Sequence, residues 1–179
     1  MNKTPKIILL IVICFFVVIV TYLFLAKKTN LPLPIPTVSQ KLNFKDISGG
    51  CGKVFVYKIT TDDSTGISVS ADAKKLNLSA EGKTFEIGNT EGLNVEILMG
   101  ERIGRLYCND VVYSDQQEPK KFIAKSGRVI ISIADAGKDP ELSGNYKTTV
   151  ILNDVRFNDS DIVIDELIFK DVRVGWYPG

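Results

Sequence analysis

Residues 7–26, IILLIVICFFVVIVTYLFLA, form an uncharged run of 20 residues. As a helix rising 1.5 Å per residue, such a run spans roughly 30 Å, the hydrocarbon thickness of a bilayer. A water-facing helix would need a polar stripe, and only Thr21 and the Tyr22 hydroxyl interrupt this one. The segment is therefore expected to be a transmembrane signal anchor, with residues 1–6 as a short cytoplasmic tail. A cleavable signal peptide has a shorter apolar region of roughly 7–15 residues, ending in small residues. Here the cut after Ala26 would place Phe24 at the −3 position and Lys27-Lys28 just beyond it. A lipoprotein cysteine would close the apolar region, whereas Cys14 follows Ile13 in mid-run. A pilin-type leader needs an early glycine and acid, yet the first of each are Gly49 and Asp46.

The flanking charges do not orient the anchor, because Lys3 and Lys6 balance Lys27 and Lys28. The cysteines give the better indication. Of three, Cys14 lies within the apolar run, leaving Cys51 and Cys108 as one pair in the remainder. A lone pair in a small tethered domain fits an oxidising compartment and one disulfide. This places the protein in the cell membrane as a single-pass chain, its C-terminal domain extracytoplasmic, either periplasmic or extracellular.

Residues 27–40 follow as a linker, with Pro32, Pro34 and Pro36 alternating. Each proline fixes its own φ and extends its predecessor, so a polyproline-II spacer reaching about 35 Å is expected.

From residue 41 the pattern changes to period two, as in Lys53–Thr61, where Val54, Val56 and Lys58 alternate with Phe55, Tyr57 and Ile59. Further strands are predicted at 66–70, 75–79, 83–87, 93–99, 103–108, 111–113, 121–124, 128–134, 147–152, 161–164 and 167–174. Turn clusters separate them, among them Asp62–Gly66, Gly88–Thr90 and Lys125-Ser126-Gly127. Helical spacing is not sustained anywhere after residue 26. The expected fold is an all-β, antiparallel sandwich over 41–179, immunoglobulin-like or jelly-roll-like.

Composition narrows the chemistry. The chain has no histidine, which removes the usual general base, the Ser-His and Cys-His pairs and most zinc sites. The first 40 residues carry four lysines and no acid, leaving 18 basic and 21 acidic side chains beyond them, a net −3. That balance offers no basic footprint for nucleic acid. Asp62-Asp63-Ser64 and Asp159-Ser160-Asp161, with Asp165-Glu166 nearby, are candidate calcium loops, but turn chemistry accounts for them. Lys125-Ser126 is the only histidine-free nucleophile pair of note, and adjacent side chains point apart. No catalytic, cofactor or metal residue is assigned; the assigned site is the disulfide pair Cys51 and Cys108. The tail Trp176-Tyr177 is a candidate for core closure by the final strand. The reading that results is a non-enzymatic binding protein with a protein partner on the exoplasmic side. The alternatives are an ion- or small-ligand-binding β domain using its acidic loops and, less favoured, a carboxylate hydrolase.

Overall fold

The computed structural model describes residues 42–134 and 146–175. The expected membrane anchor, the linker and the Trp176-Tyr177 tail lie outside them. The described residues form strands β1 (Gly49–Cys51), β2 (Phe55–Ile59), β3 (Thr65–Ala71), β4 (Lys83–Glu86), β5 (Leu93–Met99), β6 (Lys120–Ile133), β7 (Tyr146–Phe157) and β8 (Val163–Val174). All pairings are antiparallel, in the order β1-β2-β3-β5-β6-β7-β8, with β4 also paired to β6.

The all-β antiparallel expectation holds. In place of two separate sandwich sheets there is one continuous sheet, nearly barrel-shaped, and β6 is the reason. Its first half pairs with β5 through Lys120–Ile123, and its second half pairs with β4 through Arg128–Ile131. Between them the ladder to β7 slips twice, at Ala124/Ser126 and Ser126/Arg128. Gly127 sits there at φ +128°, and a Cβ on it would lie 2.8 Å from the Val155 Cα. Glycine alone accommodates both the backbone angle and that approach. Lys125-Ser126-Gly127, predicted as a turn between two strands, is thus a bend within one long strand.

The opposite edges of the sheet also meet. The Gly175 N–H donates to the Gly52 carbonyl at 2.6 Å. A Cβ on Gly50 would come within 2.7 Å of Val172 Cγ1 and 3.0 Å of the Arg173 carbonyl, so the close approach of β1 and β8 depends on glycine. Inward residues from the whole sheet then share one core: Val56, Ile67, Val69, Val95 and Ile97 from β2, β3 and β5, and Ile131, Leu152, Phe157 and Phe169 from β6, β7 and β8. Fully burying each such side chain contributes about 1.5–3 kcal/mol before entropy is charged against it.

Three predicted strands are not strands. Residues 75–79 lie in a turn, because the Asp72 carboxylate accepts the N–H groups of Lys74 and Lys75 at 3.1 and 3.0 Å and Asn77 takes φ +47°. Leu76 and Leu78 plug the core from that turn. Residues 103–108 contain a 3-10 turn, Ile103–Leu106, and 111–113 are loop. Conversely, 161–164 and 167–174 merge into β8, and β1, with the sequence Gly-Gly-Cys, carried no strand signal.

Candidate interaction surface

The outer face of β2, β3 and β5 carries a second apolar cluster, separate from the core: Leu98, Ile103 and Tyr107 buried, with Phe55, Tyr57, Ile59 and Leu106 packed on them. It exists because β2 alternates two apolar sets, one for each face of the sheet. Its lid is the 20-residue connection Gly100–Pro119. Strands β5 and β6 pair directly from Met99↔Lys120, where about 2–5 residues would make a hairpin. Connections this long are uncommon and are usually functional.

The loop folds back through Arg102, at φ +52°, and inserts Ile103 and Tyr107 onto the sheet. The Tyr107 ring lies flat over Gly66, where a Cβ would stand 2.5 Å from Cε2. Tyr57 covers its cross-strand partner Gly49 in the same way. The two tyrosine rings stack at 4.7 Å, with Phe55 at 6.2 and 5.9 Å. Aromatic stacking of this kind adds about 0.5–1.5 kcal/mol to the area buried. Burial raises the pKa of both phenols, strongly for Tyr107, where the Glu96 charge adds to it. The Ser68 hydroxyl offsets part of that shift, yet the Tyr107 hydroxyl has no aligned hydrogen-bond partner.

Several bonds pin the loop. Cys108 is joined to Cys51, with Cα atoms 5.8 Å apart, so the expected disulfide is present. The Ile103 N–H donates to the Asp63 carbonyl at 3.0 Å and the Gly104 N–H to the Asp63 carboxylate at 2.8 Å. Arg102 holds Asp115 at 2.7 Å, and Arg105 meets Asp115 at 3.8 Å while lying 4.8 Å over the Tyr113 ring. The Arg102 hydrogen bond and charge hold the Asp115 carboxyl below its usual pKa. The Asn109 amide donates to Tyr113 Oη at 3.1 Å, and its Oδ1 accepts the Val111 N–H at 3.0 Å. So constrained, the loop leaves Val111 56% and Val112 93% exposed. Ile47, four residues before Cys51, is 83% exposed.

The Asp62-Asp63-Ser64 turn is used internally. Asp62 accepts the Thr60 hydroxyl at 2.6 Å, the Ser64 hydroxyl at 2.8 Å and the Ser64 N–H at 3.2 Å, and these bonds lower its pKa. Asp63 is the loop anchor described above. Among the described residues no three Asp, Glu, Cys or His side chains are grouped to hold a metal ion. Lys125 and Ser126 lie in the β6 bend, away from the loop in the chain. Where β5 and β4 diverge along β6 there is a cleft of about 410 Å³. Its buried lining includes Ile87, Val95 and Ala124, and Thr90, Asn94, Lys125 and Asn158 line its more exposed part. Sequence reasoning missed Val111-Val112 as an exposed pair because they read as strand. Their flanking Asn109-Asp110 and Ser114-Asp115 were the available signal for a loop.

Comparison with known proteins adds no further constraint: no family model, curated protein or solved structure matches this chain.

Proposed function

We propose that this chain is a non-enzymatic, single-pass membrane protein whose extracytoplasmic β domain binds another protein through the Gly100–Pro119 loop. Residues 7–26 serve as the anchor and 27–40 as the stiff spacer that sets the height of the domain. The observation that carries the reading is the combination of a firmly pinned loop with two adjacent valines left in solvent, Val111 and Val112. Ordering a loop costs conformational entropy. A disulfide and an Arg-Asp-Tyr network spent on holding apolar side chains outward make sense when a partner covers them, since the cost is then met before binding.

The test is in-cell cross-linking of the full chain followed by mass spectrometry. A stoichiometric partner lost on Val111→Lys with Val112→Lys, in protein that keeps its disulfide, is the expected result. A partner retained by that double variant overturns the loop as the contact. A second reading, a small-ligand domain, draws on the Asn94/Lys125/Asn158 cleft, and thermal stabilisation by a polar small molecule, abolished by Asn94→Leu, would favour it.

A further inference from the structure

The outer face of the other half of the sheet has an order that the sequence pattern did not reveal. Three registers place Thr84 opposite Ile130, Ile130 opposite Ile151, and Ile151 opposite Ile168. The neighbours of these isoleucines in the chain, Ile131, Leu152 and Phe169, are completely buried, so the three isoleucines project outward. They form a transverse apolar stripe over β6, β7 and β8, roughly 10 Å from first strand to last, and Ile168 is 42% exposed. The next row of the same face reads Glu86, Arg128, Asn153, Glu166. On that row a cation on β6 and an anion on β8 stand on either side of a neutral amide on β7. Arg128 also stands opposite Glu86 on β4 and lies 3.8 Å from the exposed Asp154.

We propose that this face is a homodimer interface, closed by a second copy of the chain about a two-fold axis running along β7. The argument is self-complementarity. Rotation about that axis stacks the two faces and exchanges β6 with β8. It lays Ile130 over the partner's Ile168 and Ile151 over its own copy. The same operation sets Arg128 against the partner's Glu166, and Glu166 against the partner's Arg128. An isologous contact requires a surface that matches itself under rotation, and over β6, β7 and β8 the row ordered cation, amide, anion does so, with Glu86 on β4 outside those three strands.

Even along the full 12-residue length of β7 the three-strand face measures only on the order of 500 Å² per copy from strand spacing and rise, with Lys147 and Arg156 near its two ends and on the axis, and this is smaller than the roughly 800 Å² of a standard interface. The dimer is correspondingly weak in dilute solution and relies on the concentration that tethering imposes. That last point rests on the anchoring part of the proposed function. The interface itself does not depend on what the Val111-Val112 loop binds.

The experiment uses the full chain in membranes of expressing cells, in a Cys14→Ser background so that Cys51 and Cys108 remain paired. Asn153→Cys puts a thiol on the axis while leaving the isoleucines intact. Thr84→Cys puts one two strands away, so that its copies lie roughly 19 Å apart. A short bifunctional maleimide is expected to give a covalent homodimer at residue 153 and little at residue 84. Arg128→Glu or Glu166→Arg in the Asn153→Cys chain should each lower the yield by roughly tenfold, and the two together should restore it. Ile168→Lys should lower it without rescue. The surface positions leave the core untouched, and persistence of the Cys51–Cys108 bond reports folding. Equal yields at 153 and 84, no dimer at 153, an adduct with another protein in its place, or no rescue by the charge exchange would each overturn the proposal. Sedimentation of the membranes separately reports whether the chain is anchored, so failure of that reading is distinguishable.

Discussion

Removing the Cys51–Cys108 bond tests how the loop is held and how the domain is stabilised. The bond spans 57 residues, and the chain-entropy relation for a loop of that length gives about 14 cal/mol/K, or ~4 kcal/mol at 25 °C, of stabilisation through the unfolded state. The compact unit Val38–Gly179, taken as unfolding in one step, has an unfolding entropy of about 2.1 cal/mol/K per residue, in total ~0.3 kcal/mol/K. Dividing the two, Cys51→Ala with Cys108→Ala should lower Tm by roughly 14 °C. The native loop should nonetheless stay docked, because Ile103, Tyr107, Asp63 and the Arg102–Asp115 pair hold it without the bond. The assay is thermal unfolding by circular dichroism of the full chain in detergent, wild type against double variant, with tyrosinate absorbance recorded in parallel. A drop of less than about 5 °C would refute the entropic assignment. A double variant in which Tyr57 and Tyr107 titrate like free tyrosine would show that the bond, not the packing, seats the loop.

Further expectations concern single residues and pH. Tyr107→Phe removes a buried hydroxyl that has no aligned hydrogen bond, only the nearby Ser68, and should be neutral or mildly stabilising, whereas Tyr107→Ala should cost ~3–5 kcal/mol in chemical denaturation. Gly127→Ala, at φ +128° and against the Val155 backbone, should cost at least ~2 kcal/mol, and a smaller loss would contradict the account of the β6 bend. The raised phenols of Tyr57 and Tyr107 leave the folded state holding more protons than the unfolded one above pH ~10, so stability should fall from there upward. Of the two, Tyr107 is raised the more strongly and should ionise last. Asp62, Asp72 and Asp115 have lowered values, so their contribution is present above the ordinary carboxylate range and should be lost as pH falls through and below ~4. Because Asp62 and Asp63 already accept internal hydrogen bonds, millimolar calcium should leave Tm unchanged, and a calcium-dependent rise would restore the ion-binding reading.

Strand content was legible where alternation was strong and the ends were marked. Leu93–Met99 has the predicted bounds, and β2 and β3 fall within or one residue beyond theirs. The misreadings share a physical origin. Ile103, Leu106 and Tyr107 are apolar because they cover the outside of a sheet from a loop, and periodicity cannot distinguish that from a strand lining a core. Leu76 and Leu78 alternate correctly, yet the Asp72 carboxylate captures the following N–H groups in a turn. Lys125-Ser126-Gly127 is ordinary turn chemistry, and only the neighbouring Val155 shows that its glycine serves a bend. The disulfide was legible by elimination among three cysteines. The isoleucine stripe was not, because Ile130, Ile151 and Ile168 are aligned by register and no local pattern links them.

The Gly52–Gly175 contact between the first and last strands has a consequence for biogenesis. Closure of the sheet depends on residues about 120 positions apart in the chain, so the strands cannot close on one another while β8 is still unsynthesised or inside the ribosome. Folding dominated by such distant pairings is slow. Before β8 arrives, β7 exposes one long edge of 12 residues, open to pairing with any extended neighbour. Until β8 arrives that edge has no partner from within the fold, and the nascent domain is most exposed to mispairing during that interval.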